Sequence, residues 1–222
     1  MALQAAEEET IETLKQWWRE NGKQLVLLFI VVFASYTGWL LWQNSRLDQA
    51  EAASDLYEEI MQLAVSEQGS DVSDADSARI IEAAALLQTN HSSSVYAMYG
   101  ALFAAQQHVR NDDLGAAETA LQWILDNRKE GMFSATEPGL LLTAELRLGR
   151  VLLAQSEAER ALTLVNGVDP KSFEPAFAEL RGDIYIALER VDDAREAYLA
   201  AQQAGSNSEA LRMKLDALGN ES

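Results

Sequence analysis

Leu25 to Trp42 reads LVLLFIVVFASYTGWLLW, 18 consecutive uncharged residues between flanks dense in charge. As a helix this run extends roughly 27 Å, close to the thickness of a bilayer's hydrocarbon core. A helix at the surface of a soluble domain keeps a polar stripe, and this one has none. The pattern predicts a single transmembrane helix over 25–42, after a short segment 1–24 and before a connector 43–77. Within 1–24, Ile11, Leu14 and Trp18 recur at helical spacing opposite charged positions. That fits either a helix lying on the membrane surface or the start of the spanning helix. Beyond the span, Leu47, Ala50, Ser54, Tyr57, Met61 and Ala64 continue a helical stripe with Glu51, Asp55, Glu58 and Glu59 turned away. The turn-rich stretch Ser66 to Ser77 ends it, and Asp74 or Asp76 is expected to cap a helix starting near Ala78.

From residue 78 to the C-terminal residues the apolar positions keep helical spacing. The segments are 78–88, 94–110, 113–127, 138–154, 156–166, 173–189, 191–204 and 207–218. No stretch alternates apolar and polar with the length and β-branched content of a strand. The chain has 3 prolines, Pro138, Pro170 and Pro175, each between periodic segments or at the start of one. Short polar turns (Asn111-Asp112-Asp113, Gln155-Ser156 and Glu189-Arg190) join the helices in pairs, the pattern of a helical repeat array. The expected fold is therefore all-α, a transmembrane helix followed by a tetratricopeptide-like domain over 78–222.

The last pair carries that pattern most clearly. Gly182, Tyr185, Ala194, Tyr198 and Ala201 fall in the small, aromatic, small, aromatic, small order of a tetratricopeptide repeat. Small residues at 182 and 194 let two helices cross closely, with the tyrosines filling the space beside them. Glu189 stands where such repeats have a turn glycine, and Ser206 where they have a terminal proline. Ala117 with Leu121, and Ala158 with Leu162, repeat the small-then-large pair upstream. Ala117, Ala158 and Ala194 are separated by 41 and 36 residues, above the usual repeat of about 34, so the repeats are degenerate. Ser208 to Leu218 reads as the helix that closes the array.

Charge orients the span. Lys15, Arg19 and Lys23 precede it, and Arg46 is the one basic residue in the twenty after it. The positive-inside rule puts the N-terminus in the cytosol and the rest of the chain across the membrane. Trp17, Trp18, Trp39 and Trp42 suit the two membrane–water boundaries. Ala50-Glu51-Ala52 has the form of a cleavage site but lies eight residues past the apolar end, so an uncleaved signal-anchor is expected. Within the span, Ala34, Ser35 and Gly38 interrupt the large side chains, and Ala34-x-x-x-Gly38 lets a neighbouring helix approach. Tyr36 and Thr37 add polarity that favours a protein neighbour over lipid.

After residue 42 the chain holds 30 acidic and 14 basic residues, a net charge of −16. That disfavours nucleic acid and anionic lipid headgroups as targets. Cysteine is absent, which removes disulfide and thiol chemistry. His91 and His108 have no carboxylate at ligand spacing, and Asp71, Asp74 and Asp76 fit no register of a calcium loop. No phosphate loop, nucleotide fingerprint or hydrolase elbow is present, so neither a cofactor nor catalysis is expected. Function rests on surfaces. Glu179, Asp183 and Ile186, at i, i+4 and i+7, are candidate groove residues on a face away from Tyr185. An acidic groove with apolar spots would suit basic or partly unfolded client segments.

The run Trp17 to Lys23 (WWRENGK), the anchor's end Gly38 to Ser45 (GWLLWQNS), the A-x-x-A-S-x-x-Y that follows (Ala50 to Tyr57) and the degenerate repeats resemble the ancillary SecYEG translocon subunit family of Gram-negative bacteria. The resemblance covers nearly the whole chain. It implies a single-pass inner-membrane protein with a periplasmic repeat domain, which associates with the SecYEG translocon and a membrane-anchored periplasmic peptidyl-prolyl isomerase-type chaperone. It would help pass translocating client proteins to periplasmic chaperones. A tethered scaffold for envelope assembly, or a regulator acting through the cytosolic segment, are the alternatives.

Overall fold

The computed structural model describes residues 2–65, 72–130 and 135–219, and among them every regular element is helical. The α-helices are α1 (Ala2–Val65), α2 (Asp74–Asn90), α3 (Val95–Arg110), α4 (Leu114–Asp126), α5 (Pro138–Ala154), α6 (Ala158–Asn166), α7 (Glu174–Ala187), α8 (Val191–Gln203) and α9 (Glu209–Gly219), with a 3-10 turn at Lys171–Phe173 before α7. The chain divides into two compact units, Met1–Ala52 and Ala53–Ser222.

The first unit is helix throughout its described length, and it contains the apolar run. The described residues hold one helix long and apolar enough to cross a membrane. Its large side chains are bare: Phe29 and Leu41 are each 71% exposed. Such a continuous apolar surface is unfavourable in water and calls for lipid or protein around it. The side chains of Ile11 and Leu14, invoked above for a surface helix, lie outside the described residues.

The second unit starts earlier than the expected boundary at 78. Ala53 and Ile60 of α1 are 1% and 0% exposed, in one core with Ile80, Ala84 and Leu87 of α2 and Ala97 and Ala104 of α3. The stripe that follows the membrane run is thus the opening helix of the repeat unit. Helix α2 also begins four residues before the expected start. Its cap is Ser73, not Asp74 or Asp76: the Ser73 hydroxyl accepts from the Asp76 amide at 3.1 Å and donates to the Asp76 carboxylate at 2.7 Å. The serine hydroxyl thus satisfies one of the free amides of the first turn, and the Asp76 carboxylate orients it. Residues 66–71, including Asp71, lie outside the described residues.

Helices α3 to α8 form three pairs, and each pair turns the same way. Asp112, Ser156 and Glu189 have φ of 58°, 65° and 59°. In each turn the next amide bonds back to a carbonyl five residues earlier, Asp113 to His108 at 2.8 Å, Glu157 to Leu152 at 2.9 Å and Arg190 to Tyr185 at 2.8 Å. Glu189 therefore adopts the left-handed conformation for which a turn glycine is preferred. The main core fills the space between α3, α4, α5, α6 and α7 with Leu121, Ile124, Phe177, Leu180 and Ile184. A separate cluster of Ala178, Ala194, Tyr198, Ala201, Leu211 and Leu218 seals α7, α8 and α9.

Candidate functional site

Two surfaces carry the residues singled out by sequence, and the fold adds a third. The first is the apolar helix. Ala34, Ser35 and Gly38 are exposed, and a Cβ built on Gly38 meets no atom within 4 Å. Thr37 is less in need of a partner than its composition suggests. Its hydroxyl donates to the Phe33 carbonyl at 2.9 Å, with the Ala34 carbonyl at 3.1 Å, so the helix itself satisfies it.

The second surface is the last helix pair. Gly182 and Ala194 are buried, Tyr198 is 2% exposed and Ala201 is fully buried, while Tyr185 is half-buried under the Arg190 guanidinium, 4.6 Å from its ring centre. The three groove candidates separate. Ile186 is 40% exposed. Glu179 and Asp183 instead face α9, where the Lys214 ammonium lies 2.9 Å from Glu179 Oε1 and 2.7 Å from Asp183 Oδ1. The Tyr198 hydroxyl donates to Asp183 at 2.7 Å. These two carboxylates hold the array's end together; they do not line an open acidic groove.

This cluster has an alkaline signature. Burial, reinforced by the hydrogen bond to Asp183, raises the Tyr198 phenol above its ordinary value. Burial opposes the Lys214 charge, but hydrogen bonds to Asp183 and Glu179 outweigh it and raise its pKa too. Both groups keep their protons more tightly in the folded than in the unfolded chain. The stability they add is complete below about pH 10 and is lost as pH rises through the higher folded values. The expected result is a melting temperature that falls between pH 9 and pH 11, and falls less in Lys214→Met; the comparison is made by circular dichroism on residues 47–222.

The third surface was not singled out from the sequence. A cleft of about 380 Å³ opens between α3 and α5 with α4 as its floor. Ala105, Val109, Leu114, Leu121 and Val151 make it apolar, and Gln106, Arg110, Arg147 and Arg150 bring polar groups to it. Arg147 donates to the Leu102 carbonyl at 3.3 Å. Burial, with the Arg150 charge beside it, pulls the Arg147 guanidinium below its ordinary value. Elsewhere in the unit Arg79, Arg128, Arg160, Arg181, Arg190 and Arg195 each hold a carboxylate. Neither Arg147 nor Arg150 has an ion-pair partner among the described residues. Tyr96, Tyr99, Phe103 and Gln106 recur at alternating three- and four-residue spacing and so share one face of α3. Tyr57 packs on this stripe, its ring centre 5.1 Å from that of Tyr96 and 6.1 Å from that of Tyr99.

Among the described residues no three or more histidine or acidic side chains gather as a metal site. His108 faces the Asp113 carboxylate at 3.9 Å near the C-terminal end of α3, and His91 closes α2, its amide bonded to the Leu87 carbonyl.

An apolar helix long enough to cross a membrane, followed by stacked helix pairs with an open cleft, defines a helical-repeat protein with a candidate membrane-spanning helix. Residues 15–220 match the family model described as a tetratricopeptide repeat-like domain. The chain is 30% identical to the ancillary SecYEG translocon subunit of Haemophilus influenzae, over 98% of this chain and 100% of that protein. It is 29% identical to the subunit of the same name from Neisseria gonorrhoeae over 98% and 100%, and 27% identical to that of Escherichia coli over 98% and 99%. The chain belongs to this family, the tetratricopeptide repeat-like ancillary SecYEG translocon subunits. No solved structure matches it.

Proposed function

We propose that the protein is a non-enzymatic adaptor of the SecYEG translocon, tethered in a bacterial inner membrane by the apolar part of α1. In this reading the N-terminus is cytosolic, the helical unit is periplasmic, and the unit helps pass emerging proteins to periplasmic chaperones, among them a membrane-anchored peptidyl-prolyl isomerase. The observation that carries it is the end-to-end match: relatives named as translocon subunits align with 98% of this chain and 100% of their own length. The basic flank of the apolar run supports the orientation. The α3–α5 cleft, apolar with three guanidinium groups, supports holding a segment over transforming it.

Purification from native membranes tests the proposal. SecYEG is expected to accompany the full-length protein and to be lost, or much reduced, when residues 25–42 are replaced by an unrelated membrane helix. Failure to recover SecYEG with the native chain overturns the reading. Gly38→Leu sharpens the test, since a Cβ there meets no atom within 4 Å. Recovery is expected to fall several-fold with the helical unit's melting temperature unchanged, and unaltered recovery leaves Ala34 and Gly38 without a packing role. A C-terminal tag digested by protease in intact spheroplasts supports the orientation, and a tag protected until the cells are opened reverses it.

A further inference from the structure

We propose that the cleft between α3 and α5 binds an acidic, apolar-flanked segment of another polypeptide, with a side-chain carboxylate held between Arg147 and Arg150. The proposal concerns the helical unit itself and stands whether or not the chain meets the translocon.

Charge complementarity names the occupant. The chain after residue 42 has a net charge of −16, and most of its arginines are already neutralised by carboxylates of the fold. Arg147 and Arg150 are not, and they stand one helical turn apart on α5 in an apolar recess whose rim also carries Arg110. A half-buried guanidinium bonded only to the Leu102 carbonyl, at 3.3 Å, has most of its five donors unused. A bound carboxylate offsets the cost of its burial and of the like charge of Arg150.

The rest of the lining selects a polypeptide over a bare anion. Val109, Leu114 and Val151 offer apolar contact on either side of the cations. Gln106 is exposed at the rim, with no hydrogen-bond partner among the described residues, and its amide can both donate to and accept from a peptide bond. An apolar floor, a carboxylate site and an amide clamp together match an extended stretch that alternates acidic and apolar side chains. The partner is thus opposite in charge to the basic segments that an acidic groove would favour.

The test uses the full-length protein in detergent and a fluorescent ten-residue peptide of alternating leucine and glutamate, amidated at its C-terminus so that every carboxylate is a side chain. Two control peptides carry glutamine or lysine in place of glutamate. Anisotropy is expected to show binding of the glutamate peptide, at least tenfold weaker binding of the glutamine peptide, and none of the lysine peptide. Raising salt is expected to weaken the glutamate peptide's binding. Arg147→Gln with Arg150→Gln is expected to lower the affinity for the glutamate peptide at least tenfold with an unchanged helical spectrum. Arg150→Glu, at an exposed position, gives the same reading should Arg147→Gln perturb the fold. Equal binding of the glutamate and glutamine peptides, or full affinity in a folded Arg150→Glu protein, overturns the proposal. Translocon recovery plays no part in this assay, so its failure and the failure of the adaptor reading are separately visible.

Discussion

Gly182→Ala in residues 47–222 is expected to lower the melting temperature by about 6–12 °C, and Gly182→Leu to prevent α7 and α8 from pairing at all. A Cβ on Gly182 would stand 2.2 Å from Tyr198 Cε1 and 2.3 Å from Cδ1. The ring cannot swing aside cheaply. Tyr198 is 2% exposed, its hydroxyl donates to Asp183 at 2.7 Å, and the Lys214 ammonium sits 5.6 Å from the ring centre. One added methyl group must therefore push the helices apart, at or above the upper end of the roughly 1–3 kcal/mol range for overpacked cores. Alanine regains up to about 1 kcal/mol in helix propensity over glycine, which is too little to reverse the sign. At about 2–4 °C per kcal/mol for a unit of this size, the loss is readily measured by thermal denaturation. Tyr198→Ala should rescue part of it in the double variant, because the two sites share one space. An unchanged melting temperature in Gly182→Ala would mean that α7 and α8 do not cross here. Gly115→Ala is the control: its nearest contact is Asp113 Oδ1 at 4.0 Å, so only the propensity term acts.

The features legible in the sequence were those set by neighbours along the chain. The membrane run is recognised by the absence of charge over a single stretch. The helices from 94 onward end within two residues of the expected limits, because prolines and short polar turns mark them locally. The start of α2 was misjudged because its cap is shared between Ser73 and Asp76, and either acidic residue nearby looks like a cap in isolation. What the sequence could not reveal was which charges neutralise each other. Arg79 meets Glu59 from 20 residues away, Arg160 meets Glu118 from 42, and Lys214 meets Glu179 from 35. Glu179 and Asp183 consequently read as groove residues, when Lys214 of α9 pairs with both. For the same reason Arg147 and Arg150 looked like any other arginines. Their one local signal is that they are the two cations of a mostly apolar helix in an acidic chain.

A fragment of residues 47–222 is expected to fold cooperatively, and one of residues 72–222 to lack a stable native state. The second keeps the Ser73 cap and every helix from α2 onward, so the difference between them lies in residues 47–71 alone. The last part of α1 places Ile60 and Ala53 fully inside, with Leu56, Tyr57 and Leu63 packed against the same core. Without them Ile80, Ala84 and Leu87 of α2 and Ala97 of α3 lose their cover, and the array ends on an apolar face where a repeat protein needs a polar cap. Each large apolar side chain returned to water costs about 1.5–3 kcal/mol, against a total stability of about 5–15 kcal/mol. Ile60→Ala in the longer fragment isolates a single contribution, expected at about 2–5 kcal/mol because the residue leaves a cavity among tightly packed neighbours. Urea denaturation measures both. If 72–222 unfolds at the same midpoint as 47–222, residues 47–71 are a linker, the boundary read from the hydrophobic pattern near residue 78 stands, and Ile60→Ala should then be silent as well.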